Sequence, residues 1–254
     1  MRITVIGGTG LIGTRVTRIL KGAGHDVVVA SRATGVNSFT GEGLDDALAG
    51  ASAVVDVSNS SYTDEAGAQE FFSTSTMNLL AYGEAAGVSH HVALSVVGTD
   101  RLARAQGGYF IAKHQQERLI AASGRPYTLV HATQFFEFVG SIADVSTDGD
   151  QVVRLPGALV QPIAADDVAT TVVRAAAEAP RNADVEVAGP EQFTMDELVR
   201  RGLAFRGDPR TVVQDPDAGY YGARIEESTI VPVEGAEILP TTFEEWLPAN
   251  PPRV

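Results

Sequence analysis

Apolar residues follow two rhythms along this chain: short unbroken runs, and longer stretches in which they recur every three or four positions. The run from Ile3 to Ile6 predicts a strand over 3–7. Leu11, Ile12, Val16, Ile19 and Leu20 then trace one helical face, predicting a helix over 11–23 that closes at Gly24. Val27-Val28-Val29-Ala30 predicts a second strand, and 36–39 a short third. A brief helix over 44–48 and a buried strand over 53–57 come next. The stretch 64–86, with Phe71, Met77, Leu79 and Leu80, predicts a long helix ending at Gly87. Strand, helix and strand continue over 92–97, 110–122 and 128–131.

Strands this apolar, alternating this strictly with helices, belong in a parallel sheet covered on both faces. Right-handed crossovers make the expected α/β fold a doubly wound one, with ligands at the carboxyl ends of the strands. After residue 132 the rhythm changes. Segments 152–155 and 159–163 surround Pro156-Gly157, and Asp166 or Asp167 is expected to N-cap a helix through 177. Thr194 and Glu197 have the spacing of a capping box, and the tail from Gly207 is rich in Pro, Gly and Asp up to Trp246. The expectation is one domain over 1–254, in which 132–254 contributes a small, partly irregular substrate lobe.

Composition narrows the partners. The 254 residues include 19 Lys+Arg against 32 Asp+Glu, a formal charge of −13, which disfavours nucleic acid as a partner. There is no cysteine, so disulfides, thiol nucleophiles and thiolate zinc sites are excluded. His90 and His91 are adjacent and point to opposite faces of a strand, so no metal site is expected. No apolar stretch has the length of a membrane span, and the first strand starts immediately after Met1. A cytoplasmic protein is the expectation, with no membrane partner; nothing in the sequence speaks to oligomeric state.

The turn after the first strand carries the chemistry. Gly7, Gly10 and Gly13 have the spacing G-x-x-G-x-x-G between a strand and a helix. Such glycines suit a tight strand exit, close backbone approach to a pyrophosphate, and close helix–sheet packing. With Thr9, Leu11 and Ile12 they form the expected dinucleotide-binding turn at a helix N-terminus. The second strand ends in Ser31-Arg32 without the carboxylate that would bond a ribose 2′-hydroxyl. Arg32, helped by the Ser31 hydroxyl, suits a 2′-phosphate, so NADP(H) is expected over NAD(H).

Ser95 lies where a strand runs out towards the cofactor edge, and Tyr109 and Lys113 share a helix face at i and i+4. A cation beside the phenol would bring it towards working range as a proton donor; Lys113 would also bond the nicotinamide ribose, and Ser95 would orient a carbonyl. Gln134, Phe135, Phe136 and Phe138 follow the strand ending near His131, and Tyr220 and Tyr221 lie in the C-terminal part. Converging, they would make an apolar pocket for a flat carbonyl compound or quinone. Asn78 is expected to be a buried, satisfied amide.

The glycine turn, the Ser95 strand and Tyr109…Lys113 resemble the short-chain dehydrogenase/reductase superfamily. With residues 128–136, 162–169 and 188–191, they are most similar to its atypical, NmrA-like branch of quinone-reductase and isoflavone-reductase-type proteins. The resemblance implies a Rossmann fold, NADP(H) binding and often reductase chemistry. It also implies a second possibility, a nucleotide-sensing regulator without turnover, and a third is an epimerase-like enzyme acting on nucleotide sugars. Val57-Ser58-Asn59 stands in the region of the usual Asn-Asn-Ala-Gly motif, which makes Ser58 a candidate cofactor contact, and no aspartate stands at Thr40-Gly41.

Overall fold

A computed structural model describes residues 1–105 and 107–251. The first half alternates as expected: β1 (Arg2–Ile6), α1 (Leu11–Gly22), β2 (Asp26–Ala30), α2 (Leu44–Leu48), β3 (Ala53–Asp56), α3 (Glu65–Ala85) and β4 (His90–Val96). There follow α4 (Thr99–Arg104), α5 (Gly108–Ala122), β5 (Tyr127–Ala132), α6 (Val139–Val145), β6 (Val152–Leu155), β7 (Leu159–Val160) and α7 (Ala165–Ala177). The chain ends with β8 (Asp184–Ala188), β9 (Phe193–Thr194), α8 (Met195–Phe205), β10 (Thr211–Gln214), β11 (Glu237–Ile238) and α9 (Phe243–Ala249).

Seven strands form one parallel sheet in the order β2-β1-β3-β4-β5-β8-β11. Alternate residues serve opposite faces, and both faces are apolar, as a sheet covered twice requires. Ile3, Val5, Val55, Val92 and Val130 pack against Val16 and Leu20 of α1 and Val168 and Val172 of α7. Ile6 and Val54 face the other way, onto Leu44, Leu48 and Leu79 of α2 and α3. Each fully buried aliphatic side chain contributes on the order of 2 kcal/mol. The chain goes from β1 to β2 on one side and then crosses to β3 on the other, so the switch point that such folds use for ligands lies at the carboxyl end of β1.

Four local expectations are corrected. Residues 36–39 form turns instead of a strand, because their backbone is already engaged. Val36 N–H bonds the Ser31 carbonyl, Phe39 N–H bonds the Asn37 side chain, and Asn78 Nδ2 takes the carbonyls of Ser38 and Phe39. Asn78 is thus the satisfied amide expected of it. At α7 the N-cap position is Ala164, and Asp166 and Asp167 fall in the first turn. Asp166 pairs with Arg15 and Arg18, while Glu137 accepts from the Ala165 N–H. Thr194 precedes α8 without bonding its backbone, and Glu197 pairs with Arg201 instead. Of the expected 159–163 strand, Leu159–Val160 pairs with β9, and Ile163 makes only an isolated bridge to Phe135.

The C-terminal elements do not stand apart. Phe136, Phe193, Met195, Leu198, Phe243 and Trp246 form one apolar cluster with Phe72, Tyr109 and Phe110 of α3 and α5.

Candidate functional site

The glycine turn is built by backbone contacts that side chains would break. Gly7 and Gly8 N–H both bond the Ala30 carbonyl, at 2.9 and 3.2 Å. Gly7 has φ of +76°, and a Cβ there would meet Ser58 N at 2.8 Å. A Cβ on Gly13 would stand 2.1 Å from the Gly7 oxygen, so helix α1 seats against the turn only with glycine. Gly10 differs, because its nearest neighbour would be 3.3 Å away. A Cβ there would press on the Gly7 oxygen far less than one at Gly13, so packing constrains Gly10 least of the three glycines, and it stands at the cavity. No side chain caps α1, and Leu11 and Ile12 at its start line the cavity beyond the turn.

That cavity measures about 1020 Å³ and runs along the carboxyl ends of the strands. Gly7, Thr9 and Gly10 line it at β1, Ser31 and Arg32 at β2, Ser58 and Asn59 at β3, and Ser95 at β4. Arg32 is exposed, and among the described residues it has no ion-pair partner. The Ser31 Oγ is buried and makes no hydrogen bond.

Ser95, Tyr109 and Lys113 all line the same cavity, and their partners revise their chemistry. The Tyr109 hydroxyl donates to Asn59 Oδ1 at 2.7 Å, and its ring lies 4.1 Å from that of Tyr62. Burial, reinforced by Tyr62, pushes this phenol well above the usual tyrosine value. The expected lowering by Lys113 is therefore absent. Lys113 Nζ instead donates to Gln116 Oε1 at 2.6 Å and stands 4.7 Å from the centre of the Phe72 ring. Burial pulls this ammonium down to about 8, with Asp56 and Glu117 pulling the other way. Gln116 Nε2 donates to Asp56 Oδ2 at 2.9 Å, and Asp56 Oδ1 accepts from the Ser58 hydroxyl at 2.6 Å. A buried polar line thus ties Lys113 to the loop after β3. Ser95 Oγ donates to Glu117 Oε1, away from any carbonyl in the cavity.

Residues 7–179 match the NAD(P)H-binding family. The chain belongs to that family. Its fold agrees with solved structures: a nucleoside-diphosphate-sugar epimerase from Staphylococcus aureus superposes with TM-score 0.68 at 16% identity, covering 97% of this chain and 99% of that one. MoeE5 in complex with UDP-glucose and NAD gives 0.68 at 18% identity, covering 100% and 94%. RMD from Pseudomonas aeruginosa complexed with NADPH gives 0.61 at 15%, covering 94% and 89%. Epimerase family protein SDR39U1 of Mus musculus is 52% identical over 40 residues, 16% of this chain and 14% of that protein. The chain is thus an NAD(P)H-binding protein with the fold of short-chain dehydrogenase/reductase-type oxidoreductases.

The residues present fit such a cofactor. Gly10 is bare towards the cavity, Ser31 Oγ is unpaired, and Arg32 stands beside it. At the far end Thr133 Oγ1 and both amide atoms of Gln134 are buried without hydrogen-bond partners. Gln134, Phe135, Phe138 and Tyr220 line that end. Phe136 does not. It is fully buried in the lobe core, its ring 5.1 Å from Phe243 and 5.5 Å from Trp246. The 3₁₀ turn over Phe136–Phe138 sends it away from Phe135 and Phe138, which stack 5.2 Å apart.

Sequence reasoning missed Tyr62, Asn59, Asp56, Gln116, Glu117 and His131. Tyr62 was visible only as a lone aromatic in a polar stretch, and Glu117 as the residue one turn beyond Lys113. No helix among the described residues is long and apolar enough to cross a membrane.

Proposed function

We propose that this protein is an NADPH-dependent reductase of a small, flat carbonyl compound or quinone. The observation that carries this reading is one continuous cavity, with a bare glycine turn and a free arginine at one end and aromatic side chains at the other. Thr9, Gly10, Leu11 and Ile12 hold the pyrophosphate, with Gly7 and Gly13 shaping the turn. Arg32 and Ser31 take the 2′-phosphate, which selects NADPH over NADH. Ser58 and Lys113 face the nicotinamide half. When bound, NADPH supplies a hydride from its nicotinamide ring.

Tyr109 gives the proton that the reduced carbonyl oxygen needs. Burial keeps it protonated, the form a reductase uses, and also makes it a weaker acid than a phenol brought towards working pH. Gln134, Phe135 and Tyr220 contact the substrate, and the rings of Tyr62 and Phe138 complete a wall on which a flat ligand stacks.

The test is NADPH deuterated at the transferring position, incubated with quinones and aromatic aldehydes. Deuterium on the product is the expected result. Tight NADPH binding with no transfer to any of them would favour a redox-sensing regulator. Interconversion of a nucleotide sugar without net NADPH use would favour an epimerase, the activity named for the Staphylococcus aureus structure.

A further inference from the structure

The hydrogen bonds around Ser95 give its hydroxyl a direction. It has one proton, and that proton goes to Glu117 Oε1. Thr99 Oγ1 stands 3.4 Å from Ser95 Oγ but gives its own proton to the Val96 carbonyl. Glu117 is buried, on the face of the sheet where α5 packs. His131, the neighbour of Ser95 in the β4–β5 register, places Nε2 3.3 Å from Glu117 Oε1. His114, one turn earlier on α5, places Nδ1 3.2 Å from Oε2. Burial works against a charge on Glu117, yet His131, Ser95 and His114 outweigh it and hold the carboxyl below its ordinary range. Burial also works against His131, and Glu117 outweighs it, with Asp184 and Glu186 of β8 adding to the rise. The carboxylate stays ionised, so it stays an acceptor.

Tyr109 offers a contrast. Its proton is held by Asn59, a neutral amide on an exposed residue. A hydrogen bond to an ionised acceptor is about twice as strong as a neutral one. A ligand carbonyl therefore displaces Asn59 from Tyr109 far more readily than it displaces Glu117 from Ser95.

We infer that Ser95 meets the cavity as a fixed hydrogen-bond acceptor, so the preferred substrate is a carbonyl compound that also carries a hydroxyl or N–H donor. This rests on the reading of the cavity as a carbonyl-substrate pocket. Tyr109 serves the carbonyl, Ser95 serves the donor, and Glu117 is the positioning residue that sets the direction of Ser95. A ligand without a donor leaves the Ser95 lone pairs unused while Glu117 keeps the hydroxyl proton, and a site built to accept a hydrogen bond discriminates in this way.

The test is calorimetric, on the protein in the presence of NADP+, and needs no turnover. The ligands are 3-hydroxybenzaldehyde against 3-fluorobenzaldehyde, and α-hydroxyacetophenone against α-fluoroacetophenone; fluorine keeps the size and removes the donor. The expected result is that at least one hydroxy ligand binds about tenfold tighter than its fluoro partner. Ser95→Ala brings that ratio close to one, and so does Glu117→Leu, which removes the acceptor at similar volume. Ratios near one in the wild type, or a preference that survives both substitutions, would overturn the inference while leaving the pocket reading intact. Binding of none of the four would overturn both.

Discussion

The two ends of the cavity are built from different materials. At the cofactor end the backbone does the shaping: Gly7 and Gly13 lack side chains because Ser58 and the Gly7 oxygen occupy the space a Cβ would need. Among the described residues, Ser31 Oγ there has no hydrogen-bond partner and Arg32 no ion-pair partner. At the substrate end side chains do the shaping: Asn59 engages Tyr109 and Glu117 engages Ser95, while Thr133 Oγ1 and the Gln134 amide have no partner among the described residues. The first end is preformed for a ligand common to many proteins. The second is tuned by pairings particular to this chain.

The largest expected effect tests the chemistry of the second end. Tyr109→Phe removes the proton donor and should lower kcat by about 10²–10⁴ with NADPH affinity unchanged, as steady-state rates and fluorescence titration would show. A smaller loss would mean that the substrate accepts hydride without an acid, as expected of a quinone. Phe136→Ala should cost about 3–5 kcal/mol of stability in denaturant unfolding, since its ring fills the lobe core. Phe135→Ala, at the cavity wall, should cost less stability and raise KM for the carbonyl substrate.

At the first end, Gly13→Ala should destabilise by about 1–3 kcal/mol and weaken NADPH binding, because a Cβ 2.1 Å from the Gly7 oxygen forces α1 off its seat. Gly10→Ala, whose Cβ would meet the Gly7 oxygen at 3.3 Å, should cost less stability than Gly13→Ala while still weakening nucleotide binding. If both variants behaved alike, the distinction between packing glycine and ligand glycine would fall. Arg32→Ala should raise KM for NADPH about thirtyfold, from loss of a charged hydrogen bond, and leave KM for NADH almost untouched.

The smallest effect is a pH dependence. Lys113, pulled down to about 8, loses its charge as pH rises through that value. Turnover that uses the cation should therefore decline above about 8, and Lys113→Met should lack that decline. Stability moves the opposite way. The unfolded chain keeps the lysine proton up to about 10.4, so it binds more protons than the folded chain between the two values. The cost of burying the cation is present below about 8 and is relieved as pH rises through that window.

Much of the first end was legible in the sequence because its demands are on the backbone. Only glycine meets them, and the apolar strand before and helical stripe after supply the context. The failures share a cause. Phe135, Phe136 and Phe138 look alike in sequence, and only the 3₁₀ turn separates cavity from core. Residues 36–39 have strand-like composition, but Asn78, some forty positions away, claims two of their carbonyls. Lys113 shares a helix face with Tyr109, yet Gln116 takes its proton donor, and no spacing rule announces such a competition. Glu117 was invisible as a partner of Ser95 because the contact joins a helix to a strand twenty-two positions earlier.

The central claim is that NADPH held at the first end reduces a carbonyl held at the second. Consumption of NADPH in the presence of 3-hydroxybenzaldehyde, followed in the wild type, Arg32→Ala and Tyr109→Phe, tests it most directly. High NADPH should restore turnover in Arg32→Ala, and no NADPH concentration should restore it in Tyr109→Phe. Turnover equally indifferent to both substitutions would contradict it.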